Sequence, residues 1–320
     1  MVTSSSFRPS RWWRNPHLQT IWPVLTRPRR CPVLERERLE LDDGDFLDLD
    51  WQLRPRPHQP LLLLVHGLEG SADSHYMRRL LLAAEQSNLA SVAMHQRSCS
   101  GEPNRLLRSY HSGASEDLGQ VVAHLRQHHP RSPLWVVGYS LGGNQLTKYL
   151  GEKQSQSKID RAVVVSAPLD LAACARRMEQ GFSRVYQRHL ISRLQAKTRP
   201  KLAQLPMSES QLNQLNTFFA FDDAVTAPIN GFDGADDYYR QASGLPFLKA
   251  IDTPTLLLHA SDDPFMTEAV IPAPHQLSPR VELELCLNGG HVGFIEGGWP
   301  WSPRYYLERR ILDFLSQDQR

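Results

Sequence analysis

Short apolar runs recur along the chain from Leu61 onward, separated by segments with helical periodicity. The runs do not alternate apolar and polar residues, which is typical of strands buried on both faces of a parallel sheet. They are Leu61–Val65, Ser91–His95, Leu134–Val137, Arg161–Ser166, Thr255–His259 and Val281–Leu287. The helical segments are Tyr76–Ser87, Glu116–His128, Leu141–Gly151 and Pro303–Leu315. Strands and helices in alternation predict right-handed crossovers and a doubly wound α/β fold.

An N-terminal β-hairpin is predicted before the first of these runs. Val33–Leu41 and Phe46–Trp51 alternate apolar and polar residues, and the acidic segment Asp42–Asp45 between them contains an Asp-Gly pair. An Asp-Gly turn between two alternating segments is a strong hairpin signal. With these two strands the sheet would contain eight strands, most of them parallel.

Residues 169–248 interrupt the alternation of strands and helices. They have helical character, contain no convincing strand, and are rich in Arg, Gln and Tyr. An insertion between two strands of such a sheet would lie over the strand ends, so the segment is predicted to be a helical cap. The α/β core would then comprise residues 34–168 and 249–320, preceded by an N-terminal arm at residues 1–33.

The N-terminal arm has an unusual composition, with six Arg and no acidic residue before Glu35. Its tryptophans are Trp12, Trp13 and Trp22. One interpretation is a contact with a membrane surface or an anionic ligand, through interfacial Trp and snorkelling Arg. The other is an irregular arm that packs its tryptophans on the domain. The second is favoured here, because prolines at positions 16, 23 and 28 interrupt a long amphipathic helix.

Composition excludes several other classes of protein. The net charge of +2 and the lack of a basic stripe beyond the arm argue against a nucleic-acid partner. The four cysteines are scattered, with neither a C-x-x-C motif nor metal-ligand spacing, so neither a disulfide framework nor a metal site is predicted. Residues 1–14 lack an apolar signal-peptide region and no run is long enough to span a bilayer, so a cytoplasmic location is expected. Nothing in the sequence predicts the oligomeric state.

The candidate chemistry begins at Gly138-Tyr-Ser140-Leu-Gly142. The motif follows a predicted strand and precedes a predicted helix. A Ser on such a tight turn projects its hydroxyl from the top of the sheet, and the flanking glycines have no Cβ to obstruct the turn. The sequence therefore predicts Ser140 as a nucleophile.

A nucleophilic Ser needs a base, and the base needs an acid to orient it. Ligands of open α/β sheets bind beyond the carboxyl ends of the strands, so the partners should directly follow later strands. His291 follows the last strand and is the predicted base. Asp262 and Asp263 follow the strand before it. Asp263 is favoured as the acid, with Asp262 as the alternative that caps a turn or binds a loop N–H.

The remaining candidates surround this set. Two backbone N–H groups should form the oxyanion hole, one from Leu141, the residue after the nucleophile, and one from Leu68 in the Gly-containing loop 66–70. His66, Tyr139 and Arg97 are candidates for a substrate pocket. For His66 and Arg97, holding the local loop in shape is an equal or better interpretation. His95, Cys99 and His111 have the same two interpretations.

Four motifs carry a resemblance to a known family: His66-Gly-Leu-Glu-Gly70, Gly138-Tyr-Ser-Leu-Gly-Gly143, Asp262-Asp-Pro-Phe265 and Gly289-Gly-His-Val-Gly-Phe294. Asn15-Pro-His-Leu-Gln-Thr20, Ser100-Gly-Glu-Pro-Asn104 and Gly181-Phe-Ser-Arg-Val-Tyr186 extend it over nearly the whole chain. Together they resemble the bacterial YheT-type hydrolases, within the α/β-hydrolase-domain esterases.

The resemblance implies an α/β-hydrolase fold with Ser140 as nucleophile, Asp263 as acid and His291 as base, and no cofactor. It implies hydrolysis of carboxylic esters, short-chain ones in vitro, and leaves the physiological substrate open. The alternative activity is a thioesterase or phospholipase-like hydrolase that acts on lipid acyl groups. A third interpretation, from a different class, is a binding module that keeps the fold without catalysis.

Overall fold

Nine strands form one sheet in the computed structural model, which describes residues 2–317. In chain order they are β1 Val2–Ser4, β2 Glu35–Glu40, β3 Phe46–Leu53, β4 Leu61–Val65, β5 Ala90–Met94, β6 Leu134–Tyr139, β7 Arg161–Val165, β8 Thr255–Ala260 and β9 Val281–Cys286. Their order across the sheet is β1-β9-β8-β7-β6-β4-β5-β3-β2. The strands from β1 to β5 in this order are parallel, whereas β3 and β2 are antiparallel to their neighbours.

The helices connect these strands. They are α1 Pro16–Leu25, α2 His75–Gln86, α3 Ser115–His128, α4 Leu141–Lys153, α5 Leu171–Met178, α6 Ser183–Thr198, α7 Glu209–Gln214, α8 Phe218–Phe221, α9 Ala227–Ile229, α10 Ala235–Ala242 and α11 Leu307–Leu315. A π-helical segment, Asp222–Thr226, joins α8 to α9. Short 3-10 segments lie at Arg11–Arg14, Gln154–Gln156, Arg199–Gln204, Leu245–Ala250, Glu268–Val270 and Pro274–Gln276.

The predicted doubly wound fold is confirmed, and its core explains the apolar runs. In β4, Leu61 and Leu63 join the cluster that packs against α3 and α4, whereas Leu62 and Leu64 join the cluster that packs against α2 and α11. Because both faces of the strand are covered, no position favours a polar residue. Each such leucine, buried from water, contributes about 1.5–3 kcal/mol.

All eight predicted strands are present, with bounds that differ by no more than two residues, and the N-terminal arm adds a ninth. Strand β1 pairs with β9 in parallel, with Val2 opposite Leu283. The predicted start of the last helix at Pro303 is wrong. Ile295–Trp299 and Ser302–Tyr305 form an antiparallel hairpin, here named β10 and β11, and α11 begins only at Leu307.

The arm is more regular than the favoured interpretation predicted, because α1 forms despite its prolines. Pro16 occupies the first helical position, where a missing N–H costs nothing, and the side-chain oxygen of Asn15 accepts from the next two backbone amides. Trp13 is buried, as that interpretation expects, but Trp12 is 85% exposed. Among residues 2–317, none of the helices combines the length and the apolarity needed to cross a bilayer.

The segment between β7 and β8 contains helices α5 to α10 and no strand among the described residues. Two small apolar clusters hold it together, one around Tyr238 and Tyr239 and another around Ile191 and Phe221. The predicted cap at residues 169–248 lies entirely within this segment. Its separation from the core as a domain stays a prediction.

Candidate active site

Ser140 occupies the turn between β6 and α4 in a left-handed backbone conformation, with φ of +51°. The neighbouring chain is too close for side chains at Gly138 and Gly142. A Cβ on Gly138 would lie 2.5 Å from the carbonyl oxygen of Gly142, and one on Gly142 would lie 2.5 Å from that of His66. The glycines of the motif are therefore required by the close approach of backbone to backbone, as the sequence predicts.

A non-glycine residue at positive φ is strained, at a cost of about 1–3 kcal/mol, so the surrounding contacts must hold it. The Ser140 amide donates to the Val165 carbonyl over 2.8 Å, and the Ser140 carbonyl accepts from the Asn144 amide over 3.0 Å. The buried Asn144 side chain in turn donates to the carbonyls of Ser112 and Ala242. The turn that carries Ser140 is thus held by Val165 of the sheet on one side and, through Asn144, by Ala242 of the inserted segment on the other.

The three predicted side chains form one hydrogen-bonded chain. The Oγ atom of Ser140 lies 3.0 Å from Nε2 of His291, and Nδ1 of His291 lies 2.8 Å from Oδ2 of Asp263. Asp263 is 5% exposed, and its other oxygen accepts from the Phe265 amide over 2.9 Å. The carboxylate is thereby locked in the orientation that holds the imidazole toward the serine.

The neighbouring acid has a different task. Asp262 accepts from the Gly290 amide over 2.9 Å and from the Asn288 side chain over 3.2 Å. It therefore braces the loop that carries His291 and does not contact the imidazole itself. Burial raises the pKa of Asp262 against the effect of these two donors. Of the two alternatives in the sequence, the geometry pairs Asp263 with the histidine.

Phe265 fixes the plane of the His291 ring. The two rings stack with centroids 4.0 Å apart and an interplanar angle of 5°. The Phe265 ring in turn contacts the ring of Tyr186 in α6, with centroids 5.0 Å apart. No role for Phe265 is predicted from the sequence, although its position two residues after the candidate acid Asp263 is a usable signal.

Helix α1 of the arm supports the loop of His291 directly. The His291 amide donates to Oγ1 of Thr20 over 3.0 Å. Gln19 is fully buried, and its side chain donates to the Ile295 carbonyl and accepts from the Ile295 amide. A Cβ on Gly293 would lie 2.0 Å from the Gln19 carbonyl oxygen, so the loop and the helix are in close backbone contact. The arm is therefore part of the site, which the sequence analysis did not predict.

The two predicted oxyanion donors both lie beside the serine. Leu68 and Leu141 line the same pocket as Ser140. The amides on either side of Leu68 are already engaged, because Gly67 donates to Tyr76 Oη and Glu69 donates to Tyr110 Oη. Leu141 is the first residue of α4, where backbone amides have no partner within the helix. That these two N–H groups form the oxyanion hole stays a prediction.

An ion pair from the inserted segment clamps the loop that carries Leu68. Glu69 has φ of +53°, and its buried carboxylate lies 2.7 Å from Nζ of Lys197 in α6 and accepts from Tyr110 Oη over 2.7 Å. The Lys197 ammonium also lies 2.9 Å from Sγ of Cys99. Burial raises the pKa of the Cys99 thiol to about 11, despite the nearby ammonium. Cys99 is thus a protonated packing group behind the loop.

A pocket that is partly open to solvent extends from Ser140 into the inserted segment. Its apolar lining includes Leu68, Leu107, Pro168, Leu171, Ala175, Met178, Leu190, Leu194, Phe218, Phe221, Val225 and Met266. Lys201 and Asp222 are charged residues in its wall. An ester with a long apolar group could place its carbonyl at Ser140 and bury the rest among the helices.

Three predicted pocket residues are placed elsewhere by the structure, and these predictions are corrected. His66 is fully buried, and its Nε2 accepts from the Gln96 amide over 3.0 Å. The Tyr139 side chain lies in the apolar cluster that packs against α2 and α11, and it does not line the pocket. Arg97 is 1% exposed and binds carboxylates of Asp45 and Asp117. In all three the strand end is near the site, but the side chain faces away from it.

His111 is different, because it does line the pocket. Burial lowers its pKa to about 3, so the ring is neutral, and its Nδ1 accepts from the Gly113 amide. His95 instead pairs with Asp50 over 2.7 Å. Within residues 2–317, no cluster of three or more His, Cys, Asp or Glu side chains has the arrangement of a metal site.

Comparison with known proteins now places this geometry. The family model described as the α/β hydrolase fold matches residues 60–298. The chain belongs to the α/β-hydrolase family. The Escherichia coli K12 protein named "Putative esterase YheT" is 47% identical over 320 residues, covering 98% of this chain and 94% of that protein. The mouse protein "Phospholipase ABHD3" is 29% identical, covering 98% of this chain and 79% of that protein.

Solved α/β-hydrolase structures share the architecture with much less sequence. The Pyrococcus furiosus esterase PF2001 superposes with a TM-score of 0.56 at 17% identity, covering 98% of this chain and 99% of that one. At this identity the match supports the fold and nothing finer. The relatives place the chain among esterases and hydrolases of the family, without a substrate.

Asp222 should make the stability of this hydrolase depend on pH. Burial raises its pKa to about 6, against hydrogen bonds from Thr226 and Tyr239. Because the folded protein binds this proton more tightly than the unfolded chain, its free energy of unfolding falls as pH rises from about 4 to about 6. The loss is at most about 3 kcal/mol, since one pKa unit corresponds to about 1.4 kcal/mol. Asp222→Asn should remove this component of the pH dependence.

The measurement is the melting temperature of wild type and Asp222→Asn between pH 4 and pH 8. We expect the variant to be relatively more stable at the alkaline end, with the two proteins converging toward pH 4. Asp236→Asn, at an exposed aspartate in α10, is the matched control and should run parallel to wild type. Parallel curves for Asp222→Asn would contradict the argument.

Proposed function

We propose that this α/β-hydrolase is a serine esterase that cleaves carboxylic esters through an acyl-enzyme. The observation that carries the proposal is the continuous chain from Ser140 Oγ through His291 to Asp263, at 3.0 Å and 2.8 Å. Such a chain activates a serine hydroxyl that is otherwise a weak nucleophile.

In the proposed mechanism, Nε2 of His291 takes the hydroxyl proton as Ser140 Oγ attacks the ester carbonyl. The carbonyl oxygen becomes an oxyanion that accepts from the Leu68 and Leu141 amides, each of which can contribute on the order of 3 kcal/mol. His291 then returns the proton to the departing alcohol, which leaves an acyl-serine. His291 then takes a proton from a water molecule that attacks the acyl-serine, and it returns this proton to Ser140 Oγ as the carboxylic acid leaves.

Asp263 supports both steps without losing or gaining a proton. Its carboxylate accepts from Nδ1–H of His291, which fixes the tautomer whose Nε2 faces the serine, and its charge stabilises the imidazolium. Phe265 adds steric control, because stacking at 4.0 Å leaves the imidazole little freedom to rotate. We expect short-chain esters to be cleaved in vitro, because the reaction requires only that the ester carbonyl reach Ser140 and the two backbone amides. It does not require the acyl chain to fill the pocket.

A second candidate activity is the hydrolysis of lipid acyl groups as phospholipid esters or thioesters. The apolar lining of the pocket favours it, since side chains such as Leu171, Met178 and Leu194 offer contacts that a two-carbon acyl group does not need. Relatives named phospholipase and monoacylglycerol lipase point the same way.

A cytoplasmic location remains a prediction, compatible with four free cysteines among the described residues.

The test of the proposed function is covalent labelling by a fluorophosphonate probe. Wild type should be labelled and Ser140→Ala should not, because the probe reacts only with an activated serine. A matched control is Ser155→Ala, at an exposed serine in the 3-10 segment Gln154–Gln156, which should keep the labelling. Absence of labelling in wild type would contradict the proposal and favour a non-catalytic binding module, and equal labelling of Ser140→Ala would contradict Ser140 as the nucleophile.

A hydrolysis panel then separates the two activities. Nitrophenyl esters and coenzyme A thioesters of increasing acyl length, with a phospholipid series, would be compared by kcat/KM. A maximum at short acyl chains supports the simple esterase, whereas a rise with chain length on thioesters or phospholipids supports the lipid activity.

A further inference from the structure

Tryptophans from two distant parts of the chain come together at the surface, because Arg11–Arg14 and α1 pack beside the β10–β11 hairpin. The ring of Trp22 in α1 contacts that of Trp301 in the turn of the β10–β11 hairpin, with centroids 5.5 Å apart and the planes tilted by 40°. The indole nitrogen of Trp22 donates to the Pro300 carbonyl over 2.6 Å. Trp299 and Trp301 are each 81% exposed and Trp12 is 85% exposed. We call these four tryptophans, with Leu18 and Leu25 of α1, the tryptophan face.

Helix α1 presents an apolar stripe on its outer side. Leu18, Trp22 and Leu25 are spaced i, i+4, i+7 and therefore share one face of the helix. Leu18 is 42% and Leu25 is 68% exposed, whereas Gln19 and Thr20 on the opposite side are buried against the loop of His291. Folding has therefore satisfied the inner side of the helix and left the outer apolar side uncovered.

The N-terminal segment that contributes α1 and Trp12 to the tryptophan face is strongly basic. Six arginines and no acidic residue occur before Glu35. Within residues 2–317, Arg30 is the only one of these six arginines that forms an ion pair, and its partner is Glu85. The other five have no carboxylate within ion-pair distance there, and all are exposed: Arg8, Arg11, Arg14, Arg27 and Arg29. An uncompensated positive charge on the segment that carries Trp12 and Trp22 is complementary to a surface that is both apolar and anionic.

We propose that the tryptophan face docks on an anionic lipid bilayer. Indole rings prefer the level of the lipid head groups, and Arg side chains reach the phosphates while their stems lie along apolar groups. Membrane-surface helices typically combine an apolar stripe with Arg or Lys at its margins. A protein partner would have to supply an acidic, apolar counterpart over both α1 and the hairpin, and a bilayer supplies this without a specific shape.

The docking face borders the loop that carries His291. The hairpin begins at Ile295, directly after this loop, and Thr20 on the inner side of α1 accepts from the His291 amide. Docking would thus bring the edge of the candidate active site to the lipid surface. The proposal goes beyond the proposed function and does not depend on it, because binding to vesicles is measured without any substrate.

The test is co-sedimentation of the full chain with vesicles of phosphatidylcholine alone or mixed with phosphatidylglycerol. Wild type should bind the mixed vesicles, weakly or not at all the neutral ones, and more weakly as salt is raised. Trp299→Ser with Trp301→Ser should weaken binding by about tenfold or more, since two interfacial indoles are lost. Phe219→Ser, at an exposed aromatic residue of the inserted segment, is the matched control and should bind like wild type.

A charge variant tests the second half of the proposal. Replacing Arg11, Arg14, Arg27 and Arg29 with Gln should abolish the preference for phosphatidylglycerol, whereas Arg56→Gln with Arg131→Gln should keep it. All substituted side chains are exposed, and melting temperatures would verify that each variant is folded. Failure of folded wild type to bind the anionic vesicles would overturn the proposal, as would undiminished binding by the double tryptophan variant.

Discussion

Replacing Asp263 with Asn should lower kcat for ester hydrolysis by about 10⁴, and replacing Asp262 with Asn should lower it by less than about tenfold. An amide at position 263 presents either a donor or a weaker acceptor to Nδ1 of His291, so the ring loses the tautomer that accepts the serine proton. Asp262 is 2.9 Å from the Gly290 amide and contacts only the loop, whose backbone an Asn side-chain oxygen can still hold. The two adjacent carboxylates should therefore differ by about three orders of magnitude.

The measurement is kcat and KM on one nitrophenyl ester for wild type and the two variants, with Ser140→Ala as the background. Because neither substitution changes the pocket, KM should stay within a few-fold of wild type in both. A larger loss in kcat for Asp262→Asn than for Asp263→Asn would contradict the assignment of the acid. Equal, small losses in both would indicate that the serine is not activated through His291.

The strands were predictable because a strand buried on both faces consists of consecutive apolar residues, a pattern that is visible in the sequence. The predicted bounds of β4, Leu61–Val65, are those observed, since every residue of this strand contacts one apolar layer or the other. The C-terminal error has a comparable physical reason. Pro303 can begin a helix, but Gly298 at φ of +88° allows the chain to reverse before it, and Ser302–Tyr305 pairs back on Ile295–Trp299.

The order of the candidate site was predictable from topology alone. Parallel strands bring their carboxyl ends to one edge, so residues following β6, β8 and β9 must meet there. The choice between Asp262 and Asp263 could not be made in this way, because both follow β8 and the turn decides which faces the imidazole. The support of His291 by Thr20 was also out of reach, since 271 residues separate them and no local pattern records the contact.

Arg97 illustrates the opposite error, in which position along the chain misled the prediction. It follows β5 at the correct edge of the sheet, so a role in the pocket was reasonable. Its partners are Asp43 and Asp45 in the turn after β2 and Asp117 at the start of α3. The Asp-Gly turn was interpreted only as a hairpin signal. Its acidic residues also serve as the counter-charges of a buried guanidinium.

This buried network makes Arg97→Met the substitution with the largest expected effect on stability. Arg97 is 1% exposed and its guanidinium lies 2.7 Å from Asp117 and 2.9 Å from Asp45, two carboxylates that are at most 1% exposed. Its removal leaves two buried charges without their counter-ion, and breaking such a network typically costs about 3–5 kcal/mol. Burial alone would lower the pKa of Arg97, but its hydrogen bonds and charge interactions with Asp117 and Asp43 raise it.

The measurement is urea unfolding followed by tryptophan fluorescence, with Arg30→Met as the matched control. Arg30 pairs with Glu85 at the surface, and its side chain is 64% exposed, so its loss should cost no more than about 1 kcal/mol. Arg97→Met with Asp117→Leu should regain part of the loss, because one of the orphaned charges is then removed as well. If Arg97→Met unfolds at the same urea concentration as wild type but loses ester hydrolysis, Arg97 acts on substrate after all. The network predicts the reverse, a less stable protein whose folded fraction retains kcat.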